Sequence, residues 1–222
     1  MIASEYLVTS ASALDALYDA PPWAAIAKET ETLIPPYQAF VEASPYVTLA
    51  TTGPNGVECS PRGDAPGFVR VCDEKTLIIP SRDGNNRNES LHNIVRDPRV
   101  ALHFLIPGCG ETLRVKGRAV ISTDPTLTGS FAADGKSPRT VIVVSIESVY
   151  FHCAKAIRRS KLWDVTQHIA RERLPSVNAI LASVQWRRCR DALQGGFRRR
   201  SAKTQPPVVA EPPVAAQEPQ SL

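Results

Sequence analysis

Between Tyr46 and His152 the chain breaks into short runs of β-branched and aromatic residues separated by turn-forming ones, with only two stretches of helical character inside that span. Tyr46 to Thr52 is rich in β-formers, Gly53-Pro54-Asn55-Gly56 is a strong turn signal, and Val57 to Pro61 runs back as the second arm of a hairpin. Further strands are expected over Gly67–Val71, Thr76–Pro80, Val100–Ile106, Thr112–Ser122 and Thr140–His152. The helical stretches are Asn86–Arg96, stopping ahead of Pro98, and Pro125–Ala133, capped by Asp124. This order lacks the regular strand–helix alternation of a doubly wound parallel sheet. It predicts a mainly β fold with flanking helices, an antiparallel barrel in which closure removes the edges that short strands expose.

The flanks read differently. Residues 1–44 are expected to form short helices, begun at Pro21-Pro22 and Pro35-Pro36, that pack on a barrel spanning 45–160. Residues 161–194 alternate at helical spacing with a break at Pro175-Ser176, and 195–222 read as a disordered basic and Pro-rich tail. The formal charge of +4 lies at that end: residues 187–222 hold seven of the 26 cationic and three of the 22 acidic side chains, leaving 19 of each before them. Nucleic-acid binding would have to come from Arg187–Lys203, flanked by Trp186 and Phe197, and a mobile basic tail more often aids solubility. Five scattered cysteines without a CxxC pair, and four histidines without a metal-binding spacing, argue against a disulfide framework and against a metal site. No apolar run is long enough to span a membrane and the N-terminus does not resemble a secretory signal, so the expected location is the cytoplasm.

Three polar, arginine-bearing segments interrupt the strand pattern, each at a strand end or helix start, where ligand groups belong. They are Ser60-Pro61-Arg62-Gly63-Asp64, Pro80-Ser81-Arg82-Asp83-Gly84-Asn85-Asn86-Arg87, and Thr112-Leu113-Arg114-Val115-Lys116-Gly117-Arg118. In the second, Gly84 and Asn85 permit tight turns, and Asn86 and Arg87 are placed to open a helix whose first amides face a phosphate. Arg82 and Arg87 would add forked hydrogen bonds. The alternatives are a solvated turn for the second segment, an Arg62–Asp64 pair for the first, and a water-facing strand for Arg114, Lys116 and Arg118 in the third.

The strings SPRGDAPGFV, IIPSRDGNNRNESLHNI, ETLRVKGRA and FHCAKAIRRSKLW resemble a bacterial flavin-binding subfamily of the pyridoxamine 5'-phosphate oxidase-like, FMN-binding split-barrel superfamily, over Tyr46 to Trp163. The resemblance implies an antiparallel split barrel that binds FMN at the interface of a homodimer. It gives the phosphate to Arg82, Asn86 and Arg87, and the ring-edge and ribityl contacts to Ser60, Arg62, Gly63, Ile79, Pro80 and Ser81. Across the interface it implies Thr112, Arg114, Lys155, Arg158, Ser160 and Trp163. For Lys155, Arg158 and Arg159 the other reading is a basic helix end facing exposed carbonyls, and for Trp163 a core aromatic. The paired-arginine substrate motif of the oxidase itself has no C-terminal counterpart, since Arg171 to Arg173 runs into Leu174-Pro175, which argues against oxidation of pyridoxamine phosphate.

The implied function is an oxidoreductase passing a hydride between a small molecule and flavin N5, with no acid or base identifiable among the residues. The alternatives are a non-catalytic flavin-binding or flavin-sensing protein and a barrel holding haem or a deazaflavin. For haem the sequence offers only His152 beside Cys153.

Overall fold

The computed structural model describes residues 3–187, which fall in two units divided after Gln167. The first is built on one seven-stranded sheet: β1 (Tyr46–Gly53), β2 (Gly56–Gly63), β3 (Arg70–Asp73), β4 (Thr76–Pro80), β5 (Arg99–Leu105), β6 (Thr112–Ser122) and β7 (Val141–His152). Its order is β2-β1-β5-β6-β7-β4-β3, and every pairing is antiparallel. The strand content arises from alternation: Val47, Leu49 and Thr51 of β1 are buried while their neighbours are not, and β5 repeats the pattern with Val100, Leu102 and Phe104. The inner residues of β1, β4, β5, β6 and β7 form one core, so the sheet wraps around its own side chains.

The ladder does not close. β2 and β3 are its two edges, and side chains, not backbone pairing, join the end of β2 to the chain after β4. Arg82 Nε donates to Asp64 Oδ2 at 2.7 Å, and Arg62 Nη2 donates to Ser90 Oγ at 2.5 Å. This gap makes the barrel a split one, as the family resemblance implied, and corrects the closure expected from the short strands.

Between β6 and β7 the register slips: Lys116 faces Ser148 but Gly117 faces Ile146, leaving Glu147 as a bulge. The extra residue returns Val149 to the core opposite Val115, while Tyr150 lies beside Arg114 on the outer face. Gly117 is required there, because a Cβ would lie 2.1 Å from Ser145 O.

Within this unit, six short helices flank the sheet: α1 (Ala11–Asp15), α2 (Trp23–Ala27), α3 (Pro35–Ala43), α4 (Glu89–Arg96), α5 (Pro125–Gly129) and α6 (Lys155–Ser160). Prolines start α2 and α3 as their sequence predicts. Of the N-terminal segment, α3 packs Tyr37 and Val41 into the core, whereas α1 and α2 bury no residue. At the end of α3, buried Ser44 donates to the carbonyls of Tyr46 and Leu105, tying the helix to β1 and β5.

α4 positions the cleft. Its buried side chains Ser90, Asn93 and Ile94 follow helical spacing, and Asn93 Nδ2 donates to Thr51 Oγ1 (3.1 Å) and Glu58 Oε2 (3.2 Å). Gly53 admits this contact: a Cβ there would sit 2.5 Å from Asn93 Oδ1.

Several expected boundaries move. The helix predicted from Asn86 begins at Glu89, because Asn86 (φ 58°) and Asn88 (φ 52°) take left-handed conformations that keep the chain in a loop. The strand predicted from Gly67 starts at Arg70, since Gly67 (φ 84°) and the Phe68 N–H to Ala65 carbonyl bond make a turn. α5 ends at Gly129, four residues early, although Asp124 caps it as expected through Thr126 N at 2.8 Å. In place of a first C-terminal helix there are two 3-10 turns, Val165–Gln167 and Arg171–Arg173. Residues 177–187 are helical beyond the Pro175-Ser176 break. The predicted tail, and the nucleic-acid contact considered for it past Arg187, lie outside the described residues. Among those residues no helix is long and apolar enough to cross a membrane.

Candidate functional site

The split between β2 and the β4–α4 connection opens into a cleft of about 550 Å³. β2 contributes Glu58, Ser60, Arg62 and Gly63, the connection contributes Pro80 to Asn88, and the first turn of α4 contributes Glu89 and Ser90. Eight of the residues singled out from the sequence therefore meet: Ser60, Arg62, Gly63, Pro80, Ser81, Arg82, Asn86 and Arg87. Ile79 does not line it. That side chain is fully buried in the core, opposite Ile142 of β7.

Strand register explains the β2 contribution. Arg62 pairs with Val47, Ser60 with Leu49 and Glu58 with Thr51, so three polar side chains share the inner face with core residues of β1. They lie on an edge strand, where no further strand covers them. Arg62 is half-buried and hydrogen-bonded to Pro61 O and Ser90 Oγ; burial pulls its guanidinium below the ordinary arginine range, and nearby Glu58 acts against that shift.

Each arginine of the cleft already has an acceptor. Arg82 bonds Asp64 and the Phe131 carbonyl, both at 2.7 Å, and Arg87 pairs with Glu89. Three arginines face three carboxylates, Glu58, Asp83 and Glu89, along the lining, so the cleft is formally neutral. The connection is shaped by an Asx turn, Arg87 N–H to Asn85 Oδ1 at 3.1 Å, and by the two left-handed asparagines. One polar atom stands apart: Ser81 Oγ is buried and has no hydrogen-bond partner, although the Ser81 N–H is bonded to Thr140 O. A buried unpaired hydroxyl costs about 1–3 kcal/mol, which a ligand acceptor or donor in the cleft would recover.

The remaining predicted residues lie elsewhere in the chain. Arg114 of β6 pairs with His103 of β5 and thus faces outward with Thr48 and Pro61, on the opposite side of the sheet from Arg62. Thr112 Oγ1 bonds His103 Nε2 at 2.9 Å, and Arg114 Nη1 donates to the Tyr150 hydroxyl at 3.4 Å. His152, Thr112's partner on β7, has a buried Nε2 without a partner. Burial, and then the charge of Arg114, push both His103 and His152 below the ordinary histidine value. Lys155, Arg158 and Ser160 belong to α6; Arg158 and Trp163 line a separate cleft of about 630 Å³ with the Gly108–Glu111 turn, where Trp163 Nε1 donates to Cys109 O at 2.7 Å. The two sets of residues do not meet within one chain.

Sequence reasoning missed Glu58, Glu89, Ser90 and Asn93, which set the charge balance and hold Arg62 and α4 in place. Ser90, Asn93 and Ile94 fall at helical spacing, and that period was the available signal.

A family profile described as pyridoxamine 5'-phosphate oxidase matches residues 33–153, the part of the chain that contains α3 and all seven strands. The chain belongs to that family. Among solved structures it is similar to HupZ of Group A Streptococcus, at 15% identity over 53% of this chain and 91% of that one, with a TM-score of 0.44. It is also similar to a Clostridium acetobutylicum protein related to general stress protein 26, of the pyridoxinephosphate oxidase family (16% identity, 52% and 84% covered, TM-score 0.42). A third is an F420 reductase (20% identity, 54% and 98% covered, TM-score 0.39). Likenesses this distant carry no residue roles. No curated protein matches the sequence.

Proposed function

We propose that this family member is a flavoprotein that holds FMN in the cleft between β2 and the β4–α4 connection, works as a homodimer, and exchanges a hydride with a small molecule. The observation that carries the reading is the buried, unpartnered Ser81 hydroxyl in a cleft lined by Arg62, Arg82 and Arg87. Its donors suit a ligand with a phosphate and several hydroxyls better than a purely apolar one. Arg82, Asn86 and Arg87 bind the phosphate; Ser60, Arg62, Gly63, Pro80 and Ser81 serve the ribityl chain and ring edge.

The dimer enters because Thr112 and Arg114 lie on the opposite sheet face from Arg62, and α6 and Trp163 line another cleft. A second copy can bring such groups over a ligand that one copy holds. FMN, when bound, supplies the hydride chemistry at its ring. Arg62, at the ring edge, supplies positive charge beside the reduced, anionic ring and helps fix its orientation. A deazaflavin is the competing cofactor, and binding without turnover the competing role.

Protein purified without added cofactor should show absorption peaks near ~370 and ~450 nm and release FMN on denaturation. Light scattering should give twice the chain mass. A colourless monomer that takes up no added FMN refutes the proposal; a released deazaflavin or a Soret band replaces the cofactor. A fully loaded protein that reduces no acceptor assigns binding or sensing in place of catalysis.

A further inference from the structure

We infer that Asp64, just past the end of β2, is a positioning residue that makes the cleft select a phosphate-bearing flavin, by holding the Arg82 guanidinium in one orientation. The inference rests on the flavin reading above and adds to it a residue that acts on the ligand only through another.

Asp64 is itself fixed at three points. Its N–H donates to Pro45 O (3.1 Å), its Oδ1 accepts from Ala65 N (2.8 Å), and its Oδ2 accepts from Arg82 Nε (2.7 Å). The Ala65 N–H, and next the Arg82 guanidinium, hold the carboxyl below the usual aspartate range, so it stays ionised at neutral pH. Arg82 has a second rigid anchor, because Nη1 donates to the Phe131 carbonyl at 2.7 Å. Phe131 is in turn held by Arg70, which stacks 4.0 Å from its ring centroid and bonds Ser130.

A guanidinium has five N–H groups in a fixed plane. Two of Arg82's are taken by Asp64 and Phe131, and three remain, both on Nη2 and one on Nη1. With Nε and Nη1 tied to fixed acceptors, the fork cannot follow a ligand, and the ligand must present an oxyanion to it. That geometry suits a phosphate, which takes two parallel N–H bonds. Arg62 and Arg87 are held otherwise: Arg62 spends its Nη groups on Pro61 and Ser90, and Arg87, largely exposed, pairs with Glu89 two residues away. Asp64 also repels a phosphate, but with its side chain 34% exposed that repulsion is screened by water, whereas the loss of orientation is not.

The test compares FMN with riboflavin, which differ by the phosphate alone. Dissociation constants are measured by quenching of flavin fluorescence for the wild type, Asp64→Ala and Asp64→Asn, with melting curves on each. Asp64→Ala should weaken FMN about tenfold and riboflavin by less than about twofold. Asp64→Asn keeps an oxygen acceptor for Nε and should weaken FMN about threefold, again sparing riboflavin; it decides the matter if the alanine variant does not fold. Equal losses for the two flavins, or no loss for either, overturn the inference and leave the flavin reading standing. A wild type that binds neither flavin overturns both.

Discussion

Replacing Gly117 by alanine tests whether the bulge between β6 and β7 organises the barrel. The added Cβ would sit 2.1 Å from Ser145 O and 3.2 Å from Ile146 Cα, whereas carbon–oxygen contacts ordinarily begin at ~3.3 Å. Relief requires the strands to part by about 1 Å, which stretches ladder bonds from ~2.9 Å past the ~3.5 Å at which they cease to count. Losing about two such bonds costs ~2 kcal/mol, and residual misfit in a packed core adds ~1–3 kcal/mol. Against this, alanine lowers the entropy of the unfolded chain by the equivalent of ~0.4–1 kcal/mol. The net expectation is a loss of roughly 3 kcal/mol, or about 6–12 °C in melting temperature for a chain of this size. Urea and thermal melts followed by circular dichroism measure it. Gly129→Ala is the control, since no heavy atom lies within 4 Å of a Cβ there, and the entropy gain alone should leave it ~0.4–1 kcal/mol more stable than wild type. A Gly117→Ala loss below ~0.5 kcal/mol would show that the ladder yields freely and would refute the argument.

Three further outcomes follow from the same geometry. Ser81→Ala removes a hydroxyl that has no partner, so it should leave stability unchanged or raise it by up to ~1 kcal/mol while weakening FMN several-fold; a variant that binds FMN like wild type removes Ser81 from the site. Asn93→Ala strips α4 of its bonds to Thr51 and Glu58 inside a buried contact and should cost ~2–3 kcal/mol in a denaturant melt, with a loss under ~1 kcal/mol counting against that role. His103 and His152 are held below the ordinary value of 6.5, so the unfolded chain takes up their protons first. Their contribution is intact above that pH and lost as pH falls from it toward the lowered native values; melting temperatures from pH 7.5 to 5.5 should drop less in a His103→Asn/His152→Asn double variant, and parallel curves would refute the assignment.

The positions of the strands along the chain were legible where local chemistry agreed with the fold. β4 and β6 match their predicted bounds, and β1, β5 and β7 fall within one residue of theirs; outside the continuously buried β4, alternating burial writes a period of two into the residues. Pro35-Pro36 and Asp124 mark helix starts for the same reason: a missing N–H or a side-chain acceptor acts within one turn. The start of α4 was not legible, since Asn86 and Asn88 tolerate both helical and left-handed conformations and only the surrounding contacts select one. The short C-terminal turns escaped similarly, as an apolar period over Lys161–Leu174 does not distinguish a helix from successive 3-10 turns.

The sequence alone determined that an antiparallel, strand-rich barrel would form and that arginine-bearing turns would lie at strand ends, because periodicity and turn chemistry act over a few residues. Tertiary structure alone decided which of those arginines share a cleft. Arg62 and Arg82 are twenty positions apart and line one cleft, the first held by Ser90 and the second by Asp64, whereas Arg62 and Arg114, both on strands, face opposite sides of one sheet. The reason is register: the pairing of Val47 with Arg62 and of His103 with Arg114 is set by the whole ladder, including the bulge at Glu147, and no short stretch of residues contains that information.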